Sequence, residues 1–249
     1  MTTPKNVTKE WFANFDQHFG LKGDETGQDE AAFIMRVLGL RKGRPVLDIA
    51  CGAGRVAFHL AQTGCLVTGI DLTRAYINRA RKRFAEAGLS GMFIQRDMRT
   101  LDFDGQFDAA FNWQGSFGFF SDSENLDVLV RMARAVRPGG RVLIDQPNRE
   151  YILRHFRTSN RHTTVRSRTR WNRRSQRAET WFVDNATGES WSMSIRLYTV
   201  SQFRKLFAAA GLTLVGTCGD LNGGPYSRSS RRIYVVGSRS IHEHPTVLS

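Results

Sequence analysis

The stretch that most narrows the possible folds is VLDIACGAGR, Val46 to Arg55: a short apolar run that breaks at two glycines and leads straight into an amphipathic segment. An apolar run of this length bounded by glycine reads as a strand buried on both faces, and glycine supplies the left-handed backbone of a sharp strand-to-helix turn. The same unit recurs down the chain. GRVAFHLAQTG sets Val56, Leu60 and Ala61 on one helical face and stops at Gly64, and CLVTGID returns as a second strand. LTRAYINRARKRFAEAG has Thr73 as an N-cap candidate, turns Ile77, Ala80 and Phe84 inward and closes at Gly88. GMFIQRD and FDAAFNW supply a third and a fourth strand, SDSENLDVLVRMARAV a helix capped by Ser121 or Asp122, and RPGGRVLIDQ turns into a fifth strand. Buried strands alternating with helices imply a parallel sheet covered on both faces, because each crossover needs a helix to bring the chain back.

Beyond residue 150 the period changes from helical to two. TTVRSRTRW places Arg166, Arg168 and Arg170 on one side and Val165, Ser167, Thr169 and Trp171 on the other, and SWSMSIRL alternates Trp191, Met193, Ile195 and Leu197 with serines and Arg196. This is the signature of an antiparallel, half-solvated sheet, inserted at about 150–197. The first pattern then resumes: TVSQFRKLFAAAG carries a capping box, Thr199 with Gln202, and ends at Gly211, and LTLVGTCG and RRIYVVGS form two strands close enough in sequence to pair antiparallel. The expected organisation is two N-terminal helices in 1–40, an α/β core in 41–149 and 198–238, the β insertion in 150–197, and a tail in 239–249.

With 249 residues the chain is long enough for one large domain with a small appendage. No apolar run is long enough to span a bilayer and the start lacks the apolar segment of a secretory signal, so the expectation is a cytoplasmic protein without membrane contact. Cys51, Cys65 and Cys218 are scattered and make neither a disulfide framework nor a zinc motif, and His242, Glu243 and His244 sit in a polar tail, so no metal is expected. The 36 basic residues against 23 acidic ones give a net charge of +13, which raises nucleic acid or an acidic substrate as partner. Only Lys5, Lys9, Lys22, Lys42, Lys82 and Lys205 are lysines, and the arginine excess has a second source in GC-rich coding.

Three strand ends carry the chemistry. The glycine turn at Gly52 and Gly54 allows close backbone approach and offers N–H groups to an anion. Asp71 ends the second strand, where a carboxylate accepts hydrogen bonds from both hydroxyls of a ribose, and Asp97 ends the third, where an adenine amine would lie. A dinucleotide and a nucleoside with an amino-acid tail both fit this spacing, since Ala57 supplies the small residue that dinucleotide sites use for helix packing. Asp48, on the strand before the turn, adds negative charge where a diphosphate would bring more; a zwitterionic tail suits that mixture better.

The motifs LDIACGAGR, VTGIDLT, RDMR, SFGFF and RPGGRVLID, in that order, resemble those of class I S-adenosylmethionine-dependent methyltransferases, and of bacterial small-molecule-type members in particular. The likeness is dense over about 40–147 and extends through RLYT, AGL and GDLNGG to about 238. It implies a three-layer, Rossmann-like, seven-stranded, mostly parallel sheet with an antiparallel last strand. It also implies S-adenosyl-L-methionine as cofactor and S-adenosyl-L-homocysteine as product. Carried over by position, Asp48, Ala50, Gly52 and Gly54 would surround the methionine part, Asp71 would hold the ribose and Leu72 would lie against the adenine. Asp97 would read its amine, Met98 would cover the ring, and Asn112 and Trp113 would border the sulfonium.

Methyl transfer from a sulfonium is an in-line displacement that needs alignment and exclusion of water but no protein nucleophile. The expected acceptor is a small molecule methylated at N or O, held by Trp11, Phe15, Ser116, Phe117 and Tyr198, with Tyr198 and His155 as candidate bases. The inserted sheet is expected to be a lid or a homodimer surface; equally, Trp171, Trp181 and Trp191 form its own core. The arginines of the insertion keep an RNA or DNA methyltransferase as an alternative, although NWQG differs from the Asn-Pro-Pro-Tyr type of base-amine enzymes. A cofactor-binding homologue without catalysis is the other.

Overall fold

A computed structural model describes residues 24–155 and 165–241. The first strand, β1 (Pro45–Ile49), follows helix α1 (Gly27–Leu38), and the chain then alternates through α2 (Arg55–Gln62), β2 (Leu66–Asp71), α3 (Arg74–Glu86) and β3 (Met92–Gln95). After a 3-10 turn at Met98–Thr100 come β4 (Phe107–Asn112), α4 (Asp122–Ala135) and β5 (Val136–Pro147). Helix α5 (Arg149–His155) leads to β6 (Val165–Asn172), β7 (Arg177–Asp184) and β8 (Ser190–Arg196), and the chain closes with α6 (Val200–Ala209), β9 (Leu212–Cys218) and β10 (Arg232–Arg239).

Seven strands make one sheet in the order β3-β2-β1-β4-β5-β10-β9; β1 to β5 pair parallel, and β10 runs antiparallel between β5 and β9. The apolar faces of α1, α2 and α3 meet one side around Phe33, Leu60, Ile77 and Phe84. Those of α4 and α6 meet the other around Leu129, Met132, Phe203 and Phe207. Both sides of the central strands are thereby buried, which is why they read as continuous apolar runs. The helix ends follow the local chemistry. Gly64, Gly88 and Gly211 all hold left-handed backbone after their helices, and Ser121 with Glu124 and Thr199 with Gln202 form complete capping boxes.

The insertion is a separate antiparallel sheet, β6-β7-β8. Its register puts Arg168 opposite Trp181 and Trp181 opposite Ser192, while Ser167, Phe182 and Trp191 share the other face with Trp171, Ala178 and Ile195. The three tryptophans therefore do not form one core: Trp171 packs with Ala178, Ile195, Leu197 and Ile152, whereas Trp181 lies across the sheet under the Arg170 guanidinium. No helix among the described residues is long and apolar enough to cross a membrane.

Candidate active site

The parallel register aligns the carboxyl ends of the strands. Ile49 pairs with Ile70 and with Asn112, and Asp71 pairs with Gln95, so the residues that follow β1, β2, β3 and β4 gather along one edge. There a cavity of about 730 Å3 opens, lined by Asp48, Ala50, Gly52, Asp71, Leu72, Asp97, Met98, Trp113 and Ser116 among the residues singled out above. The volume lies within the range of small-molecule sites.

The loop after β1 winds through left-handed backbone at alternate positions: Ala50 at φ 60°, Gly52 at 55° and Gly54 at 74°. Such a conformation costs alanine about 1 kcal/mol and more, and persists only where the surroundings enforce it. The enforcement comes from Asp71, whose Oδ2 accepts the Gly52 N–H at 2.9 Å while its Oδ1 accepts the Thr73 N–H at 2.8 Å. One carboxylate thus joins the glycine turn to the start of α3. Burial pushes the Asp71 carboxyl up and the backbone N–H bonds hold it back; at Asp48, burial and the neighbouring Asp71 charge raise it well above the ordinary range. Asp97 begins the 3-10 turn, accepts the Arg99 N–H at 2.9 Å and is gripped by the Arg99 guanidinium at 2.8 Å.

Five of the anticipated residues lie elsewhere. Gly54 stands behind the cavity as N-cap of α2, where a Cβ would press on Ala80 and Phe93; its role is to let α2 close on α3 and the sheet. Asn112 is fully buried and spends its Nδ2 on the Ile49 carbonyl at 3.0 Å, tying β4 to β1. Phe117 turns into the α6-side core beside Tyr198 and Phe203, because the loop that carries it faces two ways and the cavity receives Phe119 and Phe120 instead. Tyr198 is buried, accepts from Asn125 Nδ2 at 3.1 Å and donates to Asp122 at 3.4 Å, and burial together with the Asp122 charge pushes its hydroxyl up to about 12. It does not line the cavity, and its hydroxyl joins Asn125 to Asp122. His155 stacks on Tyr151 and does not line the cavity. Trp11, Phe15 and the His242–His244 pair fall outside the described residues. Among those residues no group of acids, histidines and cysteines could hold a metal.

The sequence reading missed a second set of groups. Glu30 of α1 is buried, and its carboxylate takes hydrogen bonds from Thr26, Arg55, Trp113 Nε1 at 2.7 Å and Gln114 Nε2 at 3.2 Å. Asp145 of β5 is buried as well, paired with Arg232 of β10 at 2.5 and 2.9 Å, and accepts the Gln114 N–H at 2.8 Å. Each had a visible trace: Glu30 occupies the apolar-face spacing with Phe33, Ile34 and Val37, and Asp145 interrupts an apolar strand as Asp48 does. Trp113 is fixed further by stacking on Tyr234, with ring centroids 5.3 Å apart.

Residues 46–140 match the family described as a methyltransferase domain, and the chain has the Rossmann-like fold of S-adenosylmethionine-dependent methyltransferases of known structure. The proteins it is similar to include enzymes of Streptomyces and Mycolicibacterium. Cypemycin N-terminal methyltransferase from Streptomyces sp is 28% identical over 207 residues, 79% of this chain and 84% of that protein. The fatty-acid O-methyltransferase of Mycolicibacterium smegmatis is 38% identical over 116 residues, which span 45% of this chain and 40% of that protein. The CcbJ methyltransferase from Streptomyces caelestis matches with a TM-score of 0.77 at 20% identity, covering 95% of this chain and all of that one.

Proposed function

We propose that this methyltransferase acts on a nitrogen or oxygen atom of a small molecule, and that the cavity at the carboxyl edge of β1 to β4 is where the methyl donor binds and the acceptor meets it. The observation that carries this reading is the convergence of Asp48, Asp71 and Asp97, from three adjacent strands, on one cavity whose floor is a left-handed glycine turn. The donor set fits a nucleoside with a zwitterionic tail: acids for hydroxyls and an ammonium, and two half-buried apolar side chains, Leu72 and Met98, for a ring.

When bound, S-adenosylmethionine supplies an activated methyl group, so the chain's own tasks are to bind, orient and exclude water. Each Asp71 oxygen accepts one backbone N–H and keeps capacity for a ribose hydroxyl. Asp97 lies beside the Arg99 fork, which leaves the adenine end of the cavity close to neutral. Trp113, Phe119 and Phe120 form an apolar wall on the acceptor side. The inserted sheet supports that wall from behind: Arg177 of β7 donates to the Gly118, Phe119 and Phe120 carbonyls at 2.8 to 3.1 Å. This backing role replaces the lid in our reading. Proteins of similar sequence or fold that are named as a cypemycin N-terminal, a fatty-acid O- and a sugar N-methyltransferase support a small acceptor.

Calorimetry with S-adenosylhomocysteine tests the assignment. Asp71→Ala is expected to weaken binding by about tenfold, the loss of one or two hydrogen bonds to a charged acceptor. Unchanged affinity in the folded variant would remove the ribose role.

A further inference from the structure

We propose that Gln114 selects the acceptor: its side-chain oxygen takes a hydrogen bond from the N–H of an uncharged primary or secondary amine, whose lone pair receives the methyl group. This deepens the functional reading above and rests on it. Gln114 leaves β4 directly after Trp113, lines the cavity, and holds φ 61° next to Gly115 at 76°. Glycine adopts such backbone freely; glutamine does so only under constraint. The constraint is a pair of buried carboxylates acting from two sides, Asp145 on the backbone N–H at 2.8 Å and Glu30 on Nε2 at 3.2 Å. With the amide nitrogen committed to a carboxylate, the orientation of the side chain follows, and Oε1 is the atom left over. Among the described residues nothing donates to it.

The charges around it are matched already. Arg55 faces Glu30 and Arg232 faces Asp145, so this part of the wall offers an arriving group one neutral hydrogen-bond acceptor. A carboxylate or phenolate brings only lone pairs and has nothing to give Oε1. A neutral amine brings both an N–H for Gln114 and a lone pair for the methyl carbon. An alcohol also has a hydrogen to give, but its oxygen attacks well only as the proton leaves, and of the four acids that line the cavity three are engaged, Asp24 with Arg83 and His59, Asp71 with two backbone N–H groups and Asp97 with Arg99, while the fourth, Asp48, belongs in the reading above to the methionine end of the donor. An amine that enters uncharged, having left its proton in water, needs no base in the site. Its lone pair forms the new N–C bond as the S–C bond breaks, the departing sulfur keeps that bond's electron pair and becomes a neutral thioether, and the ammonium product gives its extra proton to water.

The test uses the purified full chain with saturating S-adenosylmethionine and three matched sets of acceptors: amines (an aliphatic amine, a dipeptide amine, an amino sugar), carboxylates, and phenols and alcohols. Amines are expected to be methylated, and the other sets at rates lower by about a hundredfold. Gln114→Met, of similar length and without the amide oxygen, is expected to raise KM for the best amine by about tenfold while S-adenosylhomocysteine affinity by calorimetry stays at the wild-type value. Gln114→Asn, which tolerates the left-handed backbone and keeps an amide oxygen, is expected to recover part of the loss. The proposal is overturned by equal or faster methylation of a non-amine set, by absence of amine methylation in a protein that binds S-adenosylhomocysteine, or by an unchanged KM in Gln114→Met. A wild-type protein that fails to bind S-adenosylhomocysteine overturns the functional reading along with it.

Discussion

A methyl group added at Gly54 would sit 3.1 Å from the Ala80 Cβ and 3.3 Å from the Phe93 ring, whereas one added at Gly52 would meet nothing within 4 Å. The two glycines share a motif and a left-handed backbone, yet substitution should separate them. Gly54→Ala is expected to lower unfolding free energy by about 2 kcal/mol in urea titrations, through strain plus crowding of α2 against the sheet. Gly52→Ala bears the strain alone, and its added methyl projects into the cavity, so its larger effect should appear in S-adenosylhomocysteine affinity. The acids make a complementary prediction about pH. Burial, and then the Asp71 charge, hold the Asp48 carboxyl well above the ordinary carboxylate value, so the folded chain binds this proton more tightly than the unfolded chain. Stability from this group is therefore lost as pH rises from the ordinary carboxylate value through the raised one, the reverse of a salt-bridged acid. Asp48→Asn is expected to raise the Tm of the ligand-free protein at neutral pH by a few degrees, about 1 kcal/mol, and to flatten its acid-side dependence, as read by thermal melts across pH. Asp48 is conspicuous in the sequence as an acid in an apolar strand, whereas spacing does not say that Gly54 faces α3 and β3 while Gly52 lines the cavity.

At the scale of elements, period and punctuation were enough for most of the fold. The Thr199 capping box and the glycine stops stand where the sequence puts them, and Ser121 is the one of its two candidates that caps α4; the alternating period sets in later than residue 150, because helix α5 (Arg149–His155) precedes β6. The order of pairing was less accessible, since it depends on which strands share a crossover face, and the three tryptophans of the insertion show the limit. Alternation within β8 identifies a face, but only the register with β7 reveals that Trp181 stands on the opposite one. Nor does alternation reveal the function of Arg177. Its guanidinium collects three consecutive carbonyls of the 118–120 segment and the Ser194 carbonyl, and so couples the insertion to the aromatic wall of the cavity. Arg177→Ala is expected to cost about 2 kcal/mol of stability, from buried carbonyls left without donors, and to increase protease cleavage within 116–121. An unchanged cleavage pattern in that segment would mean that the insertion does not hold the wall.

For the whole molecule the question is what a net charge of +13 does. The register gathers Arg166, Arg168 and Arg170 on one face of the inserted sheet, but Arg170 is held by Glu179 and covers Trp181, and Arg177 and Arg196 are turned inward onto the core. Filter binding to bulk tRNA is therefore expected to be weak and to vanish toward physiological salt; tight binding with a steep salt slope would favour a nucleic-acid acceptor. The cavity was legible in the sequence through its strand-end acids, each adjacent to a turn signal. The Glu30 and Asp145 networks were not, because Trp113 lies 83 positions from Glu30 and Arg232 lies 87 from Asp145, and only the closed fold brings them within reach. That distance in sequence has a consequence for traffic through the site. One carboxylate on α1 holds the first residue of α2, the indole after β4 and the amide beyond it, so this helix cannot tilt without abandoning three donors from two segments at once. Helix α1 is thus a fixed post behind the Trp113–Gln114 wall, while none of its own residues lines the cavity.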